Sequence, residues 1–316
     1  MSASISNVRS RAALAALAFA AAGAWAQVPD AGPAMGARVA GSRDTDGFEM
    51  ERAGVAGYVR YVREGDATGL LAEHGRYAQG DWHAPLDAVT LIHHDTDRRT
   101  AEGLRLATSL SHQGGRTLAG GDLDWSRNLG PETRVGVVAN RDWVETARAL
   151  QAGLHADLVG ASIDRALGPR LTVVGFAAVQ RFSDGNVREH FRARLITPLA
   201  EDLGLTAQLH YRAFLTRTDE VEGRYFSPRR YAQWLGVLAL RRRFEPGWSV
   251  HAEAGLGRQQ VGRDPSAPSW LASLSLARVL AGGTTLRLQG LATRAASFDG
   301  PDYRYRSVVL EGEMPF

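Results

Sequence analysis

The chain of 316 residues has no cysteine, no lysine and, beyond its N-terminal segment, no long apolar run. Without cysteine it can form neither disulfides nor thiolate metal sites. Its 37 basic side chains are therefore all arginine, the net charge is +3, and no basic patch favours nucleic acid as a partner. The lack of a run of about 18 apolar residues excludes a transmembrane helix after the N-terminus. It does not exclude a transmembrane β-barrel, in which lipid-facing and lumen-facing residues alternate.

Residues 1–26 have the pattern of a secretory signal peptide. Arg9 and Arg11 precede the apolar run AALAALAFAAAGAWA, and an A-W-A cleavage pattern ends at Ala26. The run is too short and too rich in small residues for a membrane span, and a buried N-terminal helix is the alternative. The segment predicts export in a Gram-negative bacterium. Residues 27–46 are rich in proline, glycine and aspartate, and we expect a flexible periplasmic lead-in there.

The rest of the chain, 47–316, is a succession of short segments with period-two hydrophobicity. In LTAQLHYRAFLT (205–216), the leucines, alanines and tyrosine share one face, and threonine, glutamine, histidine and arginine share the other. VREHFRARL (187–195) and WSVHAEAGLG (248–257) repeat this scheme. An amphipathic helix would repeat every three or four residues instead. The segments are therefore predicted to be β-strands.

The connections between these segments alternate between short and long. Tight turns occur at LGPE and LGPR, whereas RTDEVEGRYFSPRRY and RQQVGRDPSAPS are long. Bacterial outer-membrane barrels have short periplasmic turns and longer external loops, with both termini on the periplasmic side, so the strand number is even. Counting gives about fifteen candidates. One further strand near 35–46 makes sixteen, which we favour, and one wrongly divided strand makes fourteen.

The predicted fold is all-β: a transmembrane antiparallel up-and-down β-barrel over 47–316, whose first strand could begin near residue 35. A soluble β-sandwich is the alternative. Sandwiches rarely reach so many strands without a second domain, and no linker divides this region.

The polar faces of the strands contain many charges, which we expect to line the lumen. One arginine facing lipid at the bilayer midplane costs about 2–4 kcal/mol, so several would exceed a typical folding free energy of ~5–15 kcal/mol. An alternative is that the charges pair across the lumen and plug it. The predicted lumen-facing residues are Arg105, Asp122, Asp124, Arg188, Arg192, Arg194, Arg212, Glu253, Arg287, Glu311 and Glu313.

Candidate catalytic groups are sparse. In IHHDTD (92–97), His93 and His94 are adjacent and would point to opposite faces of a strand, so they cannot easily share a metal ion. The other histidines are scattered over separate segments, and no GxSxG motif occurs. We expect no catalytic residue, no metal and no cofactor.

Aromatic residues fit a barrel in two ways. Trp234, Trp248 and Trp270 lie near predicted strand ends, where an interfacial girdle belongs. Near the long loop at 217–229, Tyr225, Phe226 and Tyr231 would either stack on sugar rings or pack the loop. These two alternatives are equally compatible with the pattern.

The last segment, YRYRSVVLEGEMPF, predicts the closing strand. Val308, Leu310 and Met314 would face lipid, and Glu311 and Glu313 the lumen. The terminal Phe316 resembles the signal by which the barrel-assembly machinery recognises outer-membrane barrels, and it is predicted to be a membrane-insertion signal.

Four segments carry a family resemblance. They are VETARAL (144–150), FSDGNVREHFRARL (182–195), YFSPRRYAQWLGVLALRRRF (225–244) and GWSVHAEAGLGRQ (247–259). In order and spacing they resemble the C-terminal barrel of poly-N-acetylglucosamine export porins and, more remotely, of cellulose exporters. The resemblance covers about 140–316. It implies a sixteen-stranded outer-membrane pore through which the polysaccharide leaves, and it carries over no catalytic residue. By position it makes the following residues pore-mouth candidates: Asp184, Asn186, Tyr225, Phe226 and Arg229.

The resemblance also shows a departure. In that family the barrel follows periplasmic tetratricopeptide repeats, whereas this chain has no helical repeat of about 34 residues. Either a separate periplasmic repeat protein would supply that part, or the chain is a stand-alone barrel with another role.

The predicted function is an outer-membrane pore for a hydrated, exported polysaccharide, with outer-membrane lipid, the polymer and the assembly machinery as partners. Alternatives are a general diffusion porin, a non-conducting structural barrel and an outer-membrane hydrolase.

Overall fold

The computed structural model describes residues 31–97, 99–245, 247–296 and 302–316, and the predicted signal peptide lies outside them. The described residues form sixteen β-strands in one closed barrel. The strands are β1 (Gly32–Asp44), β2 (Phe48–Arg63), β3 (Asp66–Gln79), β4 (Trp82–Thr96), β5 (Gly103–Gln113), β6 (Arg116–Asn128), β7 (Thr133–Trp143), β8 (His155–Ala166), β9 (Thr172–Phe182), β10 (Val187–Ala200), β11 (Leu205–Thr216), β12 (Arg230–Phe244), β13 (Trp248–Val261), β14 (Ala267–Val279), β15 (Thr285–Arg294) and β16 (Arg304–Pro315).

Each strand pairs antiparallel with its neighbours in the chain, and β16 closes the barrel against β1. The predicted up-and-down barrel of sixteen strands is confirmed, and fourteen is wrong. The additional strand is β1. Most of 27–46 is therefore barrel rather than flexible lead-in, because Met35, Ala37 and Val39 point outward and alternate with the inward residues Gly36 and Arg38.

The two ends of the barrel differ. We call the end that holds Gly32 and Phe316 the terminal end, and the opposite one the loop end. The three longest connections, 144–154, 217–229 and 295–303, all lie at the loop end. At the terminal end the turns are short, as at 201–204 and 245–247. This arrangement agrees with the alternation of short and long connections in the sequence.

One helix, α1 (Ala147–Ala152), lies inside connection 144–154. The Thr146 hydroxyl caps its N-terminus by accepting a hydrogen bond from the Ala149 N–H at 3.2 Å. Gly153 ends it in the left-handed conformation with φ of 71°. No helix in the described part of the chain is long and apolar enough to cross a membrane.

The outer surface of the barrel is aliphatic. Val55 is 65% exposed, Val159 60%, Leu238 54% and Val308 56%, and similar side chains stand on the outward face of most strands. A protein in water rarely exposes so large a continuous apolar surface. Such a belt is instead what a barrel presents to hydrocarbon.

Candidate functional site: the barrel interior

The inward face of the barrel is charged. In β10, Arg188, Arg192 and Arg194 point inward, whereas the alternate residues Phe191 and Leu195 are 49% and 40% exposed on the outside. Register places Arg105 opposite Asp124 and Arg287 opposite Glu311 on the same inward face. By strand alternation the structure places the following predicted lumen residues inside the barrel: Arg105, Asp122, Asp124, Arg188, Arg192, Arg194, Arg212, Glu253, Arg287, Glu311 and Glu313.

Some of these charges pair across the interior. Arg38 of β1 lies 3.2 Å from Glu311 and 3.5 Å from Glu73. Arg287 forms an ion pair with Glu64 of the β2–β3 turn. These pairs span β15 to β3 and hold the closing seam of the barrel from within.

Burial of the interior changes with height. Near the loop end, Tyr77 is 0% exposed, Arg188 1% and Gln259 2%. Toward the terminal end, the side chains of Arg38 and Glu311 retain 22% and 28% exposure. The interior is therefore packed most completely at the loop end, whereas the terminal end combines partly exposed charged side chains with one small buried cluster of Ala34, Tyr61 and Ala67.

Connection 144–154 fills one side of the loop end. Its helix residues Ala147 and Leu150 are buried in one apolar cluster with inward residues of β2 to β7. These strand residues are Phe48, Met50, Tyr77, Leu86, Leu118 and Trp143. The connection folds into the barrel because its apolar helix face finds this surface there.

A buried ion pair attaches the same connection to the wall. The Glu145 carboxylate is fully buried and pairs with the Arg52 guanidinium of β2. Glu145 also accepts a hydrogen bond of 3.1 Å from the Tyr77 hydroxyl, which in turn accepts one of 2.5 Å from Arg52. We call Glu145, Arg52 and Tyr77 the latch.

Connection 217–229 fills the opposite side. Its Tyr225 is 1% exposed and stacks on Phe182 with the ring centroids 4.2 Å apart. Phe226 packs with Phe214 and Tyr231, and these two rings stack at 4.9 Å. The aromatic residues therefore pack the loop, and stacking on sugars, the other alternative, would require the loop to move.

The two loops and the β9–β10 turn are joined by hydrogen bonds. The Tyr225 hydroxyl donates to Asp184 at 3.0 Å, and the Asn186 side-chain amide donates to Tyr225 at 3.1 Å. Burial raises the pKa of Tyr225 above its ordinary value, which keeps the hydroxyl protonated as a donor. Arg229 instead lies exposed and pairs with Asp219 at 3.2 Å. Of the pore-mouth candidates, four are thus buried or bonded in this seal and Arg229 stays outside. We call connections 144–154 and 217–229 together the loop cover.

His93 and His94 lie on opposite faces of β4. His93 is 3.0 Å from the Thr68 hydroxyl, and His94 is 2.9 Å from the carbonyl of Glu64. Within 31–97, 99–245, 247–296 and 302–316, no group of three histidine, aspartate or glutamate residues could hold a metal ion.

Two of the tryptophans predicted for the girdle, Trp234 and Trp248, lie near opposite ends of the barrel. Trp234 is 52% exposed near the loop end, and its ring lies 4.0 Å from that of Tyr211. At the terminal end the Arg278 guanidinium lies 4.9 Å from the Trp248 ring.

Sequence reasoning missed the latch and several paired interior charges. Arg38 lies in the segment predicted as a lead-in, and Glu145 lies between two predicted strands. A signal for Arg52 was present, because it alternates with the small outward residues of β2. Nothing local to Glu145 shows that its partner stands 93 residues away in the chain.

Comparison with solved structures supports the architecture. No family model and no curated protein sequence matches the chain. A structure titled bacterial polysaccharide outer membrane secretin aligns with 89% of this chain and 98% of its own, with a TM-score of 0.65 and 12% identity. OccK5 (OpdH) of Pseudomonas aeruginosa aligns with 92% and 99% of the two chains, with a TM-score of 0.46 and 12% identity. At this identity the first likeness shows the fold, and the class is a closed sixteen-stranded antiparallel barrel with an apolar exterior and a charged interior.

Proposed function

We propose that the protein is an outer-membrane channel for a hydrated polysaccharide, seen with its loop end closed. The observation that carries this proposal is the asymmetric interior, which has partly exposed charged side chains at the terminal end and is sealed by the loop cover at the other. The exposed aliphatic belt supports a position in lipid. The terminal end would then face the periplasm, where both chain ends of such barrels lie.

Two further points support a polysaccharide as cargo. A barrel of sixteen strands has a lumen wide enough for water, and its inward charges would keep a polymer hydrated. The structure with the TM-score of 0.65 is itself titled a polysaccharide secretin. Export from the terminal end is the direction in which a polymer would meet these partly exposed charges before the closed loops. A separate periplasmic repeat protein would dock on this end.

Conductance of a loop-deleted variant tests the channel. Replacing residues 145–153 by Asn-Gly removes α1 and half of the loop cover. In planar bilayers we expect the wild type to be mostly closed and the deletion variant to conduct. A hydrated oligosaccharide added on the terminal side should then block the current.

The matched control replaces residues 262–266, which also form a loop-end connection but contribute to none of the buried apolar clusters. Its conductance should equal that of the wild type. Folding of each variant is checked by heat-dependent migration on a gel. A folded 145–153 deletion that stays silent would contradict the channel.

A folded 145–153 deletion variant that does not conduct would favour a second candidate, a non-conducting structural barrel. The observation in its favour is the loop cover itself, whose buried ion pair and stacked rings fill the loop end.

A further inference from the structure

Three arginines of β10 and β11 lie together on the inward face. Arg192 and Arg212 are directly opposite each other in the β10–β11 register, and Arg194 follows two positions along β10. Side chains directly opposite in an antiparallel pair have their Cβ atoms about 4.5–5.5 Å apart, and like charges in such positions destabilise the sheet. We call Arg192, Arg194 and Arg212 the arginine cluster.

The side-chain contacts of Arg192 and Arg212 are with neutral groups. Arg212 donates a 2.6 Å hydrogen bond to the Tyr231 hydroxyl and lies 4.8 Å from that ring. Arg192 lies 5.3 Å from the Phe176 ring. The Nε atoms of Arg192 and Arg212 are buried and have no hydrogen-bond partner. Each therefore holds an unused donor on a charged group, which is costly when it is shielded from water.

No carboxylate compensates this charge at close range. Asp164 and Glu253 are near enough to Arg194 to act on it electrostatically. Asp164, however, forms its ion pair with Arg134, and the Glu253 carboxylate lies 3.5 Å from Nε2 of His251. Within the described part of the chain, no carboxylate oxygen lies within 4.0 Å of a guanidinium nitrogen of the cluster.

Four other interior arginines differ in this respect. Arg38, Arg52, Arg134 and Arg287 each pair with a glutamate or an aspartate. Arg188 of the same strand donates instead to the carbonyl of Phe226. The cluster is thus a local excess of positive charge. An anion between Arg192 and Arg212 would relieve their repulsion and accept the unused donors.

The surroundings of the cluster suit a saccharide. Arg192 and Arg194 are half-buried and lie near the middle of β10, farther from the loop end than the fully buried Arg188. His210 and Gln208 form a hydrogen-bonded pair at 2.8 Å on the adjacent strand. Phe176 offers an apolar ring beside the guanidinium of Arg192. Charged, neutral polar and apolar groups are therefore present together.

We propose that the arginine cluster binds anionic groups (carboxylate, sulfate or phosphate) on a saccharide that enters from the terminal end. This inference rests on the proposed function in so far as the cargo is a saccharide. It adds that this saccharide carries negative charge, because the planar guanidinium is suited to bidentate recognition of such oxyanions.

Binding in detergent micelles tests the proposal without a bilayer. The probes are hexagalacturonate, which is anionic, neutral hexa-N-acetylglucosamine and cationic hexaglucosamine, measured by titration calorimetry. The wild type should prefer the anionic probe, and its affinity should fall with added salt. The R192Q/R212Q variant should bind it at least about tenfold more weakly, which corresponds to about 1.4 kcal/mol.

The control is R165Q/R181Q, which removes the same charge from exposed, outward positions on β8 and β9. It should bind like the wild type. R192K/R212K keeps both positive charges but lacks the planar guanidinium groups, and it should bind with intermediate affinity. If R192Q/R212Q fails the heat-shift test of folding, Arg194→Gln replaces it.

Three results would overturn the proposal: no binding of hexagalacturonate by the wild type, equal binding of the neutral probe, or unchanged affinity in the folded cluster variant. A silent bilayer would count against the channel while leaving anion binding intact. Conversely, if the loop-deleted variant conducts but shows no preference for anions, the arginine cluster is refuted as a binding site, and the proposed channel function still stands.

Discussion

Breaking the latch should open the loop end. In the variant Glu145→Gln the Arg52 guanidinium loses its only described carboxylate partner within 4.0 Å. The connection carrying α1 would then be held only by apolar packing and by weaker neutral hydrogen bonds. We expect the closed state to become less favourable while the barrel wall, which does not depend on this pair, stays folded.

The magnitude follows from burial. Removing one partner of a buried ion pair costs about 3–5 kcal/mol, because the remaining charge stays unpaired. Arg52 keeps 17% side-chain exposure, whereas Glu145 has none, so partial hydration places the cost near the lower limit. About 3 kcal/mol corresponds to a change of about 100-fold in the ratio of closed to open states.

Single-channel recording in planar bilayers measures this ratio as the fraction of time spent conducting. Glu220→Gln is the control, because Glu220 is an exposed residue of connection 217–229 without a salt bridge among the described residues. The double variant Glu145→Gln/Arg52→Gln should regain part of the closure, since it leaves no unpaired buried charge.

Equal open times for Glu145→Gln and Glu220→Gln would refute the latch. So would a double variant that opens more than Glu145→Gln alone, because this would show that Arg52 stabilises the closed state without Glu145.

Further predictions concern the wall and the second loop. If the 54% exposed side chain of Leu238 faces hydrocarbon, Leu238→Arg should lower the free energy of urea unfolding from lipid vesicles by about 2–4 kcal/mol. Leu238→Ala should lower it much less. In the same assay Gly257→Ala should lower the free energy of unfolding by about 3 kcal/mol or more, because the added Cβ would lie 1.8 Å from a carbonyl oxygen of β12. Gly57→Ala is the control: its Cβ would meet nothing within 4 Å and should be tolerated. Tyr225→Phe keeps its ring but loses the hydrogen bonds to Asp184, so trypsin should cleave connection 217–229 faster; an unchanged cleavage rate would show that these bonds do not hold the loop.

The barrel wall was predictable because lipid imposes a simple rule on each strand. In β10 and β16 the charged residues alternate with aliphatic ones, and only one assignment of faces keeps the charges out of hydrocarbon. Most strand pairs of the wall also join neighbours in the chain. Among the described strands, only the pairing of β1 with β16 joins distant segments. Strand β1 is the least evident of the sixteen in the sequence, because glycine and proline weaken the pattern of its apolar residues.

The loop cover was not predictable by the same reasoning. Whether Tyr225 and Phe226 point to solvent or inward depends on Phe182, Phe214 and Tyr231, which are placed by other strands. The Glu145–Arg52 pair likewise joins distant residues. The alternation of apolar and polar residues along a strand predicts which face each residue occupies. It does not predict where a loop folds.

The seam between β1 and β16 sets an order of events in folding. It pairs Ala34 with Pro315 and Asp44 with Tyr305, and the Tyr303 hydroxyl donates to Asp44 across 259 residues of chain. Joining such distant points in a flexible chain costs about 5 kcal/mol of entropy, whereas each hairpin closes only a short loop. Hairpins that form first bend the sheet and bring its edges together, so the seam would form last. It would also be the place where the wall separates first under stress, and the Arg38–Glu311 pair across it would oppose that separation.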